Sequence, residues 1–213
     1  MTMLGFPRKV YAALRARPRL VGLTMIAASA VTAVGGGLFR TTNCSGAEYP
    51  HPSTSPYVLP FRVGYESYLS QSNCDGFHND LDWFAYDFDM PIGTSVHAAR
   101  AGVVTWLQER YLDGDHDINH TNTVEIKHAD GSVAQYLHLT QNGATVEVGD
   151  TVAQGQMIGI SGYTGLTGPR EHLHFIVFEF VTASRRGSLP VTFRNVEGRQ
   201  PLREDRAYRA LPH

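Results

Sequence analysis

Little in this 213-residue chain is basic beyond its first 19 residues. Those residues hold Arg8, Lys9, Arg15, Arg17 and Arg19 and no acid, which leaves 13 basic against 20 acidic side chains in the remainder, a body of net −7. A mildly acidic body argues against a nucleic-acid partner. Cysteine occurs only at positions 44 and 74, with no CxxC pair, so a cysteine zinc site has nothing to build on. HExxH, GxSxG and the P-loop are also missing, which removes support for helix-borne zinc proteases, serine hydrolases and nucleotide binders. After residue 40 no long stretch repeats its apolar residues every 3.6 positions, and there is no internal repeat. At 42% apolar and 18% charged, the composition is that of one globular domain with a short attachment. It excludes a disordered chain, a collagen and a multi-span membrane protein.

The attachment is N-terminal. Leu20 to Phe39 form 20 uncharged residues directly after the basic flank, the layout of a secretory signal or a membrane anchor, so residues 1–39 are read as such a segment. Ala28-Ser29-Ala30 offers a small-x-small cleavage site, yet the run is long enough to span a bilayer, and both outcomes stay open. The positive end stays cytoplasmic, which puts the body in the periplasm or cell envelope. Arg40-Thr41-Thr42-Asn43 before Cys44 is not a lipid-attachment box. In an oxidising compartment Cys44 and Cys74 would close a loop of about 30 residues, worth roughly 3–4 kcal/mol, the alternative being two unpaired thiols. Residues 40–56, rich in Ser, Thr and Pro, read as a linker, and the folded domain is expected over 57–213.

Within that domain, short alternating or β-branched runs are split by Gly, Asp and Asn. They cover Gly102–Leu107, Thr123–His128, Ser132–Leu139, Thr145–Val148, Met157–Ser161 and His172–Phe180. Such spacing predicts a mainly β fold of antiparallel sheets or a barrel-like sandwich.

Of ten histidines, His51, His97, His116, His120, His128 and His213 have no partner at ligand spacing and read as structural or exposed. His172-Leu173-His174 opens the run HLHFIVFEF; in a strand, positions i and i+2 share a face, so both imidazoles converge on one spot. Two imidazoles side by side make a poor core and a good start to a metal site. The same alternation, applied to SVAQYLHL, puts Tyr136 and His138 on one face. The stretch HNDLDWFAYD supplies His78 and Asp87, with Asp80 and Asp82 as competing acids.

These blocks stand in one order. FHNDLDWFAYDF is followed by DMPIGTSVHAARAGVV, NTVEIKHADGSVAQYLHL, VGDTVAQGQMIGISGYTG and HLHF. From about Leu59 to Phe178 the chain resembles the lysostaphin/LytM type of zinc metalloendopeptidases, which cut peptidoglycan peptides. The resemblance implies a duplicated-hybrid-motif β domain holding one Zn2+ through His78, Asp87 and His174, with His138 and His172 as the catalytic pair. Zinc would polarise a water or the scissile carbonyl; one free histidine would take the water proton and the other would stabilise the oxyanion.

Two features depart from the family pattern. The link from Thr164-Gly165 to His172 is one residue longer and carries the charged pair Arg170-Glu171, and Asp80 stands where many relatives have Gly. Asp113 to Asn119 imitates the start of an EF-hand loop but has Ile118 at position six and Val124 at position twelve, so it reads as a solvated acidic loop. The leading expectation is a zinc endopeptidase acting on wall cross-links. The alternatives are a non-catalytic domain of the same fold that binds wall peptides or activates an amidase, and a zinc-stabilised envelope domain.

Overall fold

The structure is a computed structural model that describes Cys44, residues 46–181 and residues 184–213. The signal or anchor expected over residues 1–39 lies outside the described residues, and among those described no helix is long and apolar enough to cross a membrane. The strands are β1 (Glu66–Gln71), β2 (Tyr86–Asp89), β3 (Ser95–His97), β4 (Gly102–Gln108), β5 (Thr123–Lys127) and β6 (Val133–Leu137). They continue with β7 (Leu139–Ala144), β8 (Thr151–Val152), β9 (Met157–Ser161), β10 (His172–Val181), β11 (Ser184–Ser188) and β12 (Arg206–Arg209). Only short 3₁₀ turns, Pro52–Thr54 and Asp80–Asp82, interrupt them among the described residues. The fold is mainly β, as the alternating runs predict.

The large sheet runs β12-β1-β2-β10-β6-β5-β4-β8, with β11 paired to β10, and a second sheet runs β3-β9-β7. Every pairing is antiparallel. β10 occupies the middle of the large sheet because its sequence can be buried on both faces. Leu173, Phe175 and Val177 enter the main core with Tyr86, Phe88, Tyr136 and Phe193. On the opposite face Ile176 and Phe178 pack with Ala85 and Leu137. Along that second face, towards the start of the strand, the apolar residues give way to His174 and His172. That change of chemistry marks one end of β10 as the site.

Thr145–Val148 forms no strand, contrary to its alternating pattern; the strand in this region is β7 instead. Val146 is buried because the loop lies against the core, while the Glu147 N–H donates to Asp150 Oδ2 and not to a ladder. Val148, two residues on, is exposed, so the alternation in sequence is not followed by burial here.

Cys44 and Cys74 form a disulfide with a Cα–Cα distance of 5.7 Å. Between them the Tyr49 ring meets Phe84 edge-on at 5.9 Å, and its hydroxyl lies 3.0 Å from the Asn73 amide. Ser55 donates through its hydroxyl to the Thr192 carbonyl. The Ser/Thr/Pro-rich segment is thus tied down along the body at residues 49 and 55.

Candidate metal centre

Three elements deliver three donors to the N-terminal end of the β10 face. His174 lies on β10, and Asp87 faces it in register on β2. His78 comes from the turn that follows Cys74, where its N–H donates to the Asp75 carbonyl. His174 Nδ1 is 2.9 Å from Asp87 Oδ1, and His78 Nε2 is 3.3 Å from Asp87 Oδ2. All three donor atoms lie within 4.8 Å of one another. Ligands about 2.0–2.2 Å from a tetrahedral ion stand roughly 3.3 Å apart, so these separations suit a small cation. His78 Nε2 is also buried without a properly directed hydrogen bond, a cost of about 1–3 kcal/mol that an ion would remove. The donors present fit a zinc ion.

The tautomers follow from the partners. His78 Nδ1 lies 2.7 Å from the Ser72 carbonyl, His138 Nδ1 2.7 Å from that of Thr164, and His172 Nδ1 2.9 Å from that of Arg170. A carbonyl can only accept, so each Nδ1 carries the proton and each Nε2 is left as a bare lone pair. His174 differs, since its Nδ1 meets a carboxylate.

His138 reaches the site by an unexpected route. Strand alternation would put it on the Tyr136 face, but Tyr136 is buried in the core against Phe175, and β6 ends at Leu137. His138 then takes a left-handed conformation, φ 66°, which turns its ring to 4.7 Å from that of His172 and 5.9 Å from that of His174. The shared face read for Tyr136 and His138 is therefore corrected. Such a backbone costs about 1–2 kcal/mol for a residue with a Cβ and persists only where its surroundings enforce it. Here Gly162 N–H donates to the His138 carbonyl and the Thr164 carbonyl takes the ring proton.

Burial would raise the Asp87 carboxyl, but the imidazoles of His172, His174 and His78 outweigh it and hold the group well below the usual carboxylate range. Burial lowers His78, and the neighbouring Asp87 carboxylate more than reverses this. His138 is pushed down to about 3, first by burial and then by the other two imidazoles, so it is neutral at physiological pH. His172 Nε2 lies 3.7 Å from Asp87 Oδ2, beside the three donors.

All five residues singled out in the sequence thus meet at one place. Asp82 is not among the clustered donors and belongs to the 3₁₀ turn before β2. Sequence reasoning missed the backing of His138. Thr164 is fully buried, accepts the Asn122 N–H through its hydroxyl oxygen and donates to the Leu139 carbonyl. Asn122, also fully buried, donates through Nδ2 to the Tyr111 and Leu139 carbonyls. An amide residue directly before the alternating run TVEI was the available signal for Asn122. The acidic loop is not simply solvated either: Asp113 Oδ1 accepts the Tyr163 N–H at 2.6 Å and the Asp115 carbonyl accepts that of Gly165 at 2.7 Å. It is bound to the turn that holds Thr164.

Residues 82–185 match the sequence model of Peptidase family M23. The peptidoglycan DD-endopeptidase ShyA of Vibrio cholerae is 36% identical over 106 residues, 49% of this chain and 23% of that protein. Lysostaphin of Staphylococcus simulans is 33% identical over 109 residues, 50% of this chain and 20% of its own length. The chain therefore spans under a quarter of these curated relatives. Among solved structures, a zinc-containing peptidase from Vibrio cholerae is similar at 26% identity and a TM-score of 0.42, covering 58% of this chain and 37% of the other. The family match begins at Asp82, so His78 joins the donor group from just outside it. From β2 through β10, where four of the five clustered residues stand, the chain carries a domain of Peptidase family M23.

Proposed function

We propose that the chain is a zinc-dependent endopeptidase that hydrolyses peptidoglycan stem peptides or cross-bridges outside the cytoplasm. The observation that carries this reading is the convergence of the His78, Asp87 and His174 donors beside two further imidazoles that need not be ligands. In this reading those three residues hold zinc, whose Lewis acidity would polarise the attacking water and the scissile carbonyl. His138 and His172 are the catalytic pair. Each is oriented by a carbonyl at Nδ1 and offers Nε2 to the reacting groups. Both Nε2 atoms start as acceptors, so the one that takes the proton of the attacking water becomes an imidazolium, and that imidazolium then donates to the oxygen on which negative charge develops. His138, kept neutral by burial, starts as an acceptor. Asp87 stays ionised and stabilises positive charge arising on His172.

ShyA, by its name a peptidoglycan DD-endopeptidase, supports a wall peptide as substrate. The test is incubation of the purified protein with sacculi, followed by mass spectrometry of the soluble fraction. Muropeptides released only with zinc support the reading. Binding without release would sink it in favour of a non-catalytic wall-binding domain.

A further inference from the structure

The link before His172 is one residue longer than the family pattern and carries a charged pair, and the structure gives both charges a partner on the opposite strand and turn. Arg170 Nη1 lies 3.2 Å from Asp89 Oδ2. Glu171 accepts the Ile92 N–H through Oε2 at 2.8 Å and the Met90 N–H through its carbonyl at 3.1 Å. Asp89 is the register partner of His172. Its second oxygen, Oδ1, is buried without a partner, which leaves the Arg170 contact to balance the carboxylate.

We propose that Arg170 and Glu171 are positioning residues for His172, holding in place the Arg170 carbonyl that fixes its ring. This rests on the reading of His172 as a catalytic residue. His172 is the first residue of β10, and its Nδ1–H is received by a carbonyl two residues earlier, beyond the strand. Strand ends open readily, so a ladder alone would hold that carbonyl loosely. The clasp of residues 170–171 onto 89–92 removes this freedom, and with it the ring rotations that would turn Nε2 away from the site. The contacts of the clasp end at Asp89, Met90 and Ile92 and include none of His78, Asp87 and His174, so it acts on the barrier and not on metal affinity.

The test compares Glu171→Ala, Glu171→Gln and Arg170→Ala/Glu171→Ala in the full chain, alone and combined with His172→Ala. It reads zinc content, kcat and KM on a wall peptide, and the His172 Nδ1–H resonance by ¹⁵N-histidine NMR. The double variant is expected to keep its zinc, to lose about tenfold in kcat with KM within about twofold, and to broaden or lose the resonance through solvent exchange. Glu171→Gln, which keeps an acceptor for Ile92, restores both. In the His172→Ala background the clasp variants cost no further rate. An unchanged resonance, or an equal loss of rate without the His172 ring, overturns the proposal. If the double variant does not fold, Glu171→Ala alone decides, since it keeps the Arg170–Asp89 ion pair. If the wild type is inert on wall peptides, the functional reading fails and the resonance still decides the positioning role.

Discussion

Replacing His138 by glycine and by alanine removes the same imidazole, the same bond to Thr164 and the same contact with His172. The two variants differ by one methyl group and by what their backbones tolerate. In an extended or helical segment alanine is favoured over glycine by about 0.5–1 kcal/mol. At φ 66° the order reverses, because a Cβ in the left-handed region costs about 1–2 kcal/mol and glycine has none. Burying the alanine methyl returns up to about 0.8 kcal/mol. The expected balance is a glycine variant more stable by about 1 kcal/mol, or about 2–4 °C in Tm for a domain of this size. Thermal melts of both zinc-loaded proteins, followed by circular dichroism, measure it. Both should keep their zinc and lose roughly 10²-fold or more in rate, and His138→Asn, whose residue type tolerates the left-handed region, should melt no lower than the alanine variant. If alanine equals or exceeds glycine, His138 is held in extended backbone, and the route by which its ring reaches His172 is wrong.

The ligand assignment predicts that His78→Ala, Asp87→Ala and His174→Ala each lose bound zinc and activity together, while His138→Ala and His172→Ala keep near-stoichiometric zinc and lose roughly 10²-fold or more in rate. Metal analysis that found zinc lost from His172→Ala and kept in His174→Ala would reverse the roles of the pair. Reducing the Cys44–Cys74 bridge, or replacing both residues with serine, should lower stability by about 3–4 kcal/mol from the loop it closes, read by denaturant titration, and the oxidised protein should show no reactive thiol. Burial would raise the Asp130 carboxyl, but hydrogen bonds from Ser132 and Arg100 overcome this and bring it down to about 2. A depressed carboxyl stabilises the fold above its unfolded value and loses that contribution as pH falls through the folded one. Asp130→Asn should therefore flatten the loss of stability between about pH 4 and pH 2, while an unchanged acid titration would show that Asp130 does not contribute.

What was legible in the sequence follows from what a period of two records. In HLHFIVFEF the alternation places Leu173, Phe175 and Val177 in the main core and both histidines on the other face, and the strand does so without interruption. The same rule failed at His138 because it holds only while the backbone stays extended. Nothing in Leu137-His138-Leu139 announces a positive φ, which glycine would have signalled. It failed again at Thr145–Val148, where Val146 is buried by a loop and Val148 is exposed.

The ring orientations were beyond sequence for a different reason. Three of the four site histidines are fixed by backbone carbonyls of Ser72, Thr164 and Arg170, and every residue type carries the same carbonyl. Position in the fold alone selects those three. Side chains enter one step further out: Asn122 and Thr164 brace the turn behind His138, Asp89 and Glu171 brace the segment behind His172, and the disulfide anchors the turn behind His78. Chemistry at Nε2 thus depends on residues that never face the reacting groups. His174 follows the other rule, because Asp87, which its sequence block does supply, meets its Nδ1 directly. Any metal held there would be shared by His78, Asp87 and His174, of which only His78 has its ring set by a carbonyl. Exchanging the Ser72 carbonyl for a donor would turn His78 away from the site, whereas no change of a single carbonyl would do the same to His174.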